Sequence, residues 1–160
     1  NTNVEKAVAN INDLIREAMA ILEKHVTYGN VKFYLDLDES LPLIEFDISL
    51  MRSVFNNLAE NAAHAMPSGG DLYITTGYAR KDNNVIIVFR DTGEGISEEN
   101  ITRIFDPFFT TKEAGKGTGL GLAVIYGIIE RHNGSITVAS TPGQGATFTI
   151  TLPAAGIIKI

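Results

Sequence analysis

Apolar residues recur at three- and four-residue spacing through Val4, Val8, Ile11, Ile15, Ala18 and Leu22. That is the period of one helix face, so the sequence predicts an amphipathic helix over 4–24. Gly29-Asn30 ends it, and the alternating run Val31 to Leu37 predicts a strand. After the turn at Leu41-Pro42, a second helix is predicted over 48–66, capped by Asp47 and stopped by Pro67-Ser68-Gly69-Gly70. Leu72–Tyr78 and Val85–Phe89 read as strands on either side of the polar turn Lys81 to Asn84. Residues 92–118 hold no sustained period apart from a short helix after Ser97. A third long helix is predicted over Thr118–Arg131, ended by Asn133-Gly134. Two more strands, Ser135–Ser140 and Ala146–Leu152, flank the turn Thr141 to Gly145. This order predicts an α/β fold: a two-layer α/β sandwich, its mixed sheet carrying three helices on one face.

The length of 160 residues suits one domain, here expected over 1–153 with an apolar tail at 154–160. The net charge of −6 argues against a nucleic-acid surface. The chain has no cysteine, which excludes disulfides and thiolate metal sites and fits a reducing compartment. No apolar run approaches the roughly 18 residues that span a bilayer, and no signal peptide is seen. The chain opens at Asn1 rather than Met, so a longer parent is expected.

The second helix has an unusual polar row. At about 100° per residue, with Asn57 at zero, Asn61 falls near +40°, His64 near −20° and Glu60 near −60°. An apolar seam of Ile48, Met51, Val54, Phe55, Leu58 and Ala62 lies beside this row. Such a row is either the solvated side that most helices have or a site. Asparagine is a poor helix former, and carboxamide oxygens can complete an octahedral Mg²⁺ shell with phosphate oxygens and waters.

Three further segments carry chemistry. Asp91-Thr-Gly-Glu-Gly-Ile96 is an acid and two glycines at the end of a buried strand. Ile104-Phe-Asp-Pro-Phe-Phe109 puts three phenylalanines in a polar loop. Gly115, Gly117, Gly119 and Gly121 alternate and open into an apolar helix. Backbone N–H groups at such a helix start can hold an anion, although a glycine run is otherwise a plain flexible loop. His25 and His132 stand at helix ends and are expected to be caps or surface residues. No histidine pair has zinc-ligand spacing, and neither a Gly-x-Ser-x-Gly elbow nor a Gly-x-x-x-x-Gly-Lys-Ser/Thr phosphate loop is present.

In order and spacing, Asn57-Leu-Ala-Glu-Asn61-Ala, Asp91-Thr-Gly-Glu-Gly95, Phe105-Asp-Pro-Phe-Phe109 and Gly117-Thr-Gly-Leu-Gly121-Leu resemble four boxes. They are those of the catalytic, ATP-binding domain of sensor histidine kinases. That domain belongs to the superfamily that also holds gyrase, the mismatch-repair ATPases and a heat-shock chaperone. The resemblance runs from about residue 10 to Pro153 and implies the Bergerat fold. It implies that Asn61 ligates Mg²⁺, that Asn57 supports the metal or the phosphates, and that Asp91 accepts from the adenine amino group. By the same resemblance Gly93, Gly95, Ile96 and Thr147 lie near the base. Phe108, Phe109 and Lys112 belong to a lid, with Lys112 approaching the γ-phosphate. Gly117, Thr118, Gly119, Leu120, Gly121 and Leu122 line the phosphates. His64 replaces a lysine common in the family, so its phosphate contact is an open question or depends on pH.

The resemblance implies a cytoplasmic ATP-dependent kinase domain of a parent that is itself either soluble or membrane-anchored. Its acceptor is a histidine on the parent's dimerisation domain, absent from this chain, and a response regulator acts downstream. The isolated chain is expected to be a monomer. In the hydrolysing branches of the superfamily a glutamate occupies the Asn57 position. A carboxamide takes no proton at neutral pH, and an imidazole needs less activation than water, so Asn57 favours histidine phosphorylation. Glu60, a nearby carboxylate, complicates that argument. An ATP-hydrolysing member and a nucleotide-gated binding module remain the alternatives.

Overall fold

A computed structural model describes residues 3–25, 28–107, 109 and 121–154. The elements run β1 (Ala7–Ala9), α1 (Ile11–Glu23), β2 (Val31–Asp36), β3 (Ile44–Phe46), α2 (Ile48–His64), β4 (Gly70–Ala79), β5 (Asn84–Asp91), α3 (Glu98–Ile101), α4 (Gly121–Arg131), β6 (Ser135–Ser140) and β7 (Ala146–Pro153). The main sheet has the order β2-β4-β5-β7-β6. Among the described residues only β2 and β4 pair in parallel, so the sheet is mixed as expected.

Strand alternation puts every second side chain on the helix side. On β5 these are Val85, Ile87, Phe89 and Asp91; on β7 they are Ala146, Phe148, Ile150 and Leu152, and all eight are buried. The helices α1, α2 and α4 supply the other half of the core through Ile11, Ile15, Phe55, Leu58, Ile125 and Ile129. Phe55 of α2 stacks on Phe89 of β5, with ring centroids 5.7 Å apart. The apolar seam of the second helix therefore points at the sheet from Met51 to Ala62, whereas Ile48, in its first turn, is exposed; the three long helices form one layer.

Four local expectations change. The first helix starts at Ile11 rather than Val4, because the Asn10 side chain accepts from Asn12 N and caps it. The residues before it form β1, which pairs antiparallel with β3 in a small second sheet. Neither three-residue strand is long enough to show a period. His132, expected as a cap or surface residue, is buried and hydrogen-bonded. Ala154, the start of the expected tail, is buried and its N–H donates to Asn83 O, so packing continues past Pro153. Residues 155–160 lie outside the described residues. Other expectations hold: the Asp47 carboxylate caps α2 by accepting from Leu50 N, and Asn133, in the left-handed region at φ 58°, ends α4.

A buried amide ties α1 to the sheet. Asn12 is 1% exposed; its Nδ2 donates to Asp38 O and its Oδ1 accepts from Thr76 Oγ1, each at 2.8 Å. Thr76 Oγ1 accepts in turn from Asp38 N. Asn12→Ala leaves the Asp38 carbonyl and the Thr76 hydroxyl short of a partner, and a loss of about 1–3 kcal/mol is expected. Urea unfolding checks this; a midpoint equal to that of the unaltered protein would mean that water satisfies both groups.

Candidate functional site

The site is built where β5 ends. Asp91 is 5% exposed, and its Oδ1 accepts from Gly93 N at 2.9 Å and from Ala146 N at 3.2 Å. Its Oδ2 accepts from nothing among the described residues. Burial pushes the carboxyl above the ordinary carboxylate range, and the two backbone N–H groups act against that rise. The site thus holds a carboxylate poorly solvated by water, with one oxygen satisfied and one left to accept.

The loop after Asp91 is pinned on three sides. Thr92 exchanges bonds with Asp71 on β4: Thr92 N donates to Asp71 O, and Thr92 Oγ1 accepts from Asp71 N. Glu94 N donates to Ala65 O, at the C-terminal cap of α2. Ile96 N donates to Ser140 Oγ at 2.7 Å, and Ser140 Oγ donates to Gly145 O at 2.7 Å. Gly143 N closes the ring by donating to Glu94 O. The backbones pass so close that side chains do not fit. A Cβ on Gly93 would lie 2.6 Å from Ala65 O, and one on Gly145, where φ is +83°, would lie 2.0 Å from Asp91 O.

This packing brings the asparagine helix to the carboxylate. Ala65 N donates to Asn61 O, so Asn61 is one turn back from the residue on which Gly93 rests. Asn57 and Asn61 are half-buried, whereas Glu60 and His64 are exposed. The Asn61 Nδ2 is buried and has no partner among the described residues. A buried amide group in that state is suited to a polar ligand. Glu60 lies on the other flank. It lines a groove with Leu22, His25, Tyr28, Ala63 and His64, and its charge adds to the burial that raises the Tyr28 hydroxyl. No cluster of three His, Cys, Asp or Glu able to hold a metal is found among the described residues. A cation at Asn61 would therefore take most of its oxygens from a ligand, the pattern Mg²⁺ shows with phosphates.

Of the other expected residues, Gly95 and Ile96 stand in the pinned loop. Phe109 is half-buried against the core, with the Arg103 guanidinium 5.0 Å from its ring centroid. Phe105 joins the loop to α4 and β7 through Tyr126 and Phe148. Gly121 and Leu122 are half-buried where α4 is first described, Leu122 against the core. Phe108, Lys112, Gly117, Thr118, Gly119 and Leu120 lie outside the described residues. Thr147 is a correction. It registers with the exposed Arg90 and alternates with buried Ala146, so it lies on the open face of the sheet, away from Asp91. The residue of that run that reaches Asp91 is Ala146, through its N–H. Ser140, Gly145 and Ala146 escape the sequence reading, in which residues 141–145 are only a turn; Gly143 and Gly145 are the signal that was there.

A two-layer sandwich with a buried carboxylate beside an asparagine-bearing helix defines a ligand-binding α/β domain. The chain belongs to the histidine kinase-, DNA gyrase B- and HSP90-like ATPase family, whose model matches residues 46–156. It is 39% identical over 143 residues to sporulation kinase E of Bacillus subtilis, a match covering 89% of this chain and 19% of that protein. It therefore spans about a fifth of that relative's length. The fold superposes on the catalytic domain of histidine kinase ThkA with a TM-score of 0.82 at 32% identity, covering 94% of this chain and 98% of that one. It also superposes on full-length ShkA in complex with AMPPNP, with a TM-score of 0.83 at 26% identity, over 95% of this chain and 32% of that one. Among the described residues no helix is long and apolar enough to cross a membrane.

The raised carboxyl of Asp91 gives a signed prediction. Between its ordinary value and its folded value the folded state holds the extra proton, so stability is lost as pH rises through the folded value. Asp91→Asn keeps an Oδ1 acceptor for both N–H groups and removes the charge. The free protein is expected to melt higher at neutral pH and to lose that pH dependence. A hydrogen bond to a charged group is worth about 1.5–3 kcal/mol, so adenine-nucleotide affinity should fall about 10- to 100-fold. A lower melting point with unchanged affinity would contradict this reading.

Proposed function

We propose that this chain is the catalytic domain of a sensor histidine kinase. It binds Mg·ATP and transfers the γ-phosphate to a histidine on the dimerisation domain of its parent, from which a response regulator takes it up. The observation that carries the reading is Asp91: a buried carboxylate with one oxygen satisfied by backbone N–H groups and the other open. Such an acceptor suits the amino group of adenine and opposes the carbonyl that guanine carries at the same place. Membership of the family and the AMPPNP complex of a related fold support a nucleotide as the ligand.

Asn61 holds Mg²⁺, and Asn57 supports the metal or the phosphates. When bound, Mg²⁺ offsets the charge of the triphosphate. Gly117, Thr118, Gly119, Leu120, Gly121 and Leu122 receive the phosphates, and Phe108, Phe109 and Lys112 belong to the lid. His64, at the end of the asparagine helix, lines the same groove as Glu60, so a phosphate contact from it requires the side chain to turn toward Asn61. The chemistry is positioning and electrostatics around an in-line attack by an imidazole. Asn57 is no base, and Glu60 faces the groove beside Tyr28, which supports transfer to histidine over hydrolysis. The domain acts in the cytoplasm, where ATP and a response regulator are at hand.

The test supplies radiolabelled ATP and the separate phosphoacceptor domain of the parent kinase. Acid-labile, base-stable label on that domain is expected, and Asn61→Ala should cut it by about a hundredfold, the scale of one lost transition-state contact. Release of ADP and free phosphate without labelled histidine would replace the kinase by a hydrolase. Tight Mg·ATP binding with neither product would replace it by a binding module.

A further inference from the structure

Four polar residues are buried among those described: Asn12, Asp47, Asp91 and His132. Asn12 belongs to the Thr76–Asp38 network and Asp91 to the site. The other two are joined to each other, far from the site. His132 follows α4, with Nδ1 2.8 Å from Ile128 O and Nε2 3.0 Å from Asp47 N. A carbonyl only accepts and an amide only donates, so the proton is on Nδ1 and the lone pair on Nε2. The backbone at both ends selects the neutral ring. The Asp47 carboxylate in turn accepts from Leu50 N, capping α2, and from Glu5 N, just ahead of β1. The imidazole thus ties the C-terminal end of α4 to the N-terminal end of α2, and the Asp47 carboxylate ties that end to the segment entering β1.

The geometry makes this joint a lever. α4 packs along α2. The far end of α2 carries Asn61; the far end of α4 is Gly121, where the glycine run ends. The eleven residues of α4 begin at Gly121 and end just before His132, a rise of about 16 Å at 1.5 Å per residue. A small change at the joint is therefore displaced to the place where phosphates are proposed to bind.

We propose that His132 is a positioning residue: its neutral ring holds α4 in register with α2, whose far end carries Asn61, and protonation at Nε2 opens the joint and weakens triphosphate binding. This rests on the nucleotide reading above. A proton on Nε2 would set two donors face to face at the Asp47 amide. Around the ring, Asp47 attracts that proton, whereas Lys6 ahead of β1 and Arg131 on α4 repel it; burial is the largest influence, and together they hold the imidazole below its ordinary range. The joint is therefore closed at neutral pH. It opens only as pH falls below the range of a free histidine, with stability lost in the same direction.

The test compares ATP and adenosine binding to the unaltered chain, His132→Gln and His132→Leu, with His64→Gln as control for the exposed histidine. Glutamine offers Asp47 N an acceptor that does not titrate. As pH falls from about 7 to below the range of a free histidine, ATP affinity of the unaltered chain should fall about fivefold more than that of His132→Gln, the scale of one hydrogen bond. Adenosine affinity should follow one and the same pH course in both, set by Asp91 alone. His132→Leu should bind ATP weakly at either pH while still binding adenosine. The same pH profile in His132→Gln as in the unaltered chain, or full ATP affinity in His132→Leu, would overturn the proposal. Magnetic resonance of the free, unaltered chain supplies a readout independent of ligand and of variant folding. The Asp47, Asn61 and Gly121 amides should shift together as the His132 ring titrates. Silence at Asn61 and Gly121 would overturn the lever, whereas failure of ATP and adenosine alike to bind at neutral pH would overturn the nucleotide reading instead.

Discussion

The Asp91 carboxylate is buried at the end of an apolar strand, and the architecture around it follows from keeping it there. A charge in that position needs donors. Two come from backbone: Gly93, two residues on, and Ala146, at the start of the neighbouring strand β7. To bring both N–H groups to one oxygen, the loop after β5 must fold back at once and β7 must begin beside it. That geometry leaves no room for a Cβ at Gly93 against Ala65, or at Gly145 against Asp91 itself. Ser140 then fastens the two loops together through Ile96 N and Gly145 O.

From this constraint the placement of the asparagines follows. The loop rests on the C-terminal cap of α2, so the last turns of that helix stand next to the carboxylate. α2 is fixed from below by Phe55 on Phe89 and at its other end by Asp47 and His132. On the proposed reading the parts that meet a ligand, a carboxylate oxygen of Asp91 and the carboxamide of Asn61, are left incompletely satisfied, as is the buried Ser97 hydroxyl among the described residues. The groups that pin the Asp91 loop are paired within the protein. This division is what a preorganised site requires, because groups held rigid without a ligand lose little order when it arrives.

The main sheet and its helix layer were legible because their periods are long and clean: β5 and β7 alternate over eight residues each, and α2 keeps one apolar seam from Met51 to Ala62. The asparagine face and the Asp91 loop were legible as motifs. What escaped has three physical origins. β1 and β3 are three-residue strands whose pairing is set by the chain around them, and Val4 and Val8 continue a helical period that the Asn10 cap cuts off. Thr147 was misread because a motif names a residue, whereas strand alternation decides which face it takes; one position separates the side turned to Asp91 from the open face. His132 was misread because burial depends on what packs over a helix end, and Asp47 lies 85 residues away in sequence.

The central claim is that the open oxygen of Asp91 reads the base. Competition between ATP and GTP for the chain tests it most directly, since the two differ at the group that oxygen would meet. A buried acceptor facing a carbonyl instead of an amino group loses its bond and gains repulsion, so ATP should bind at least about a hundredfold more tightly. Equal affinities would mean that Asp91 does not contact the base, and the site would have to be rebuilt around another residue.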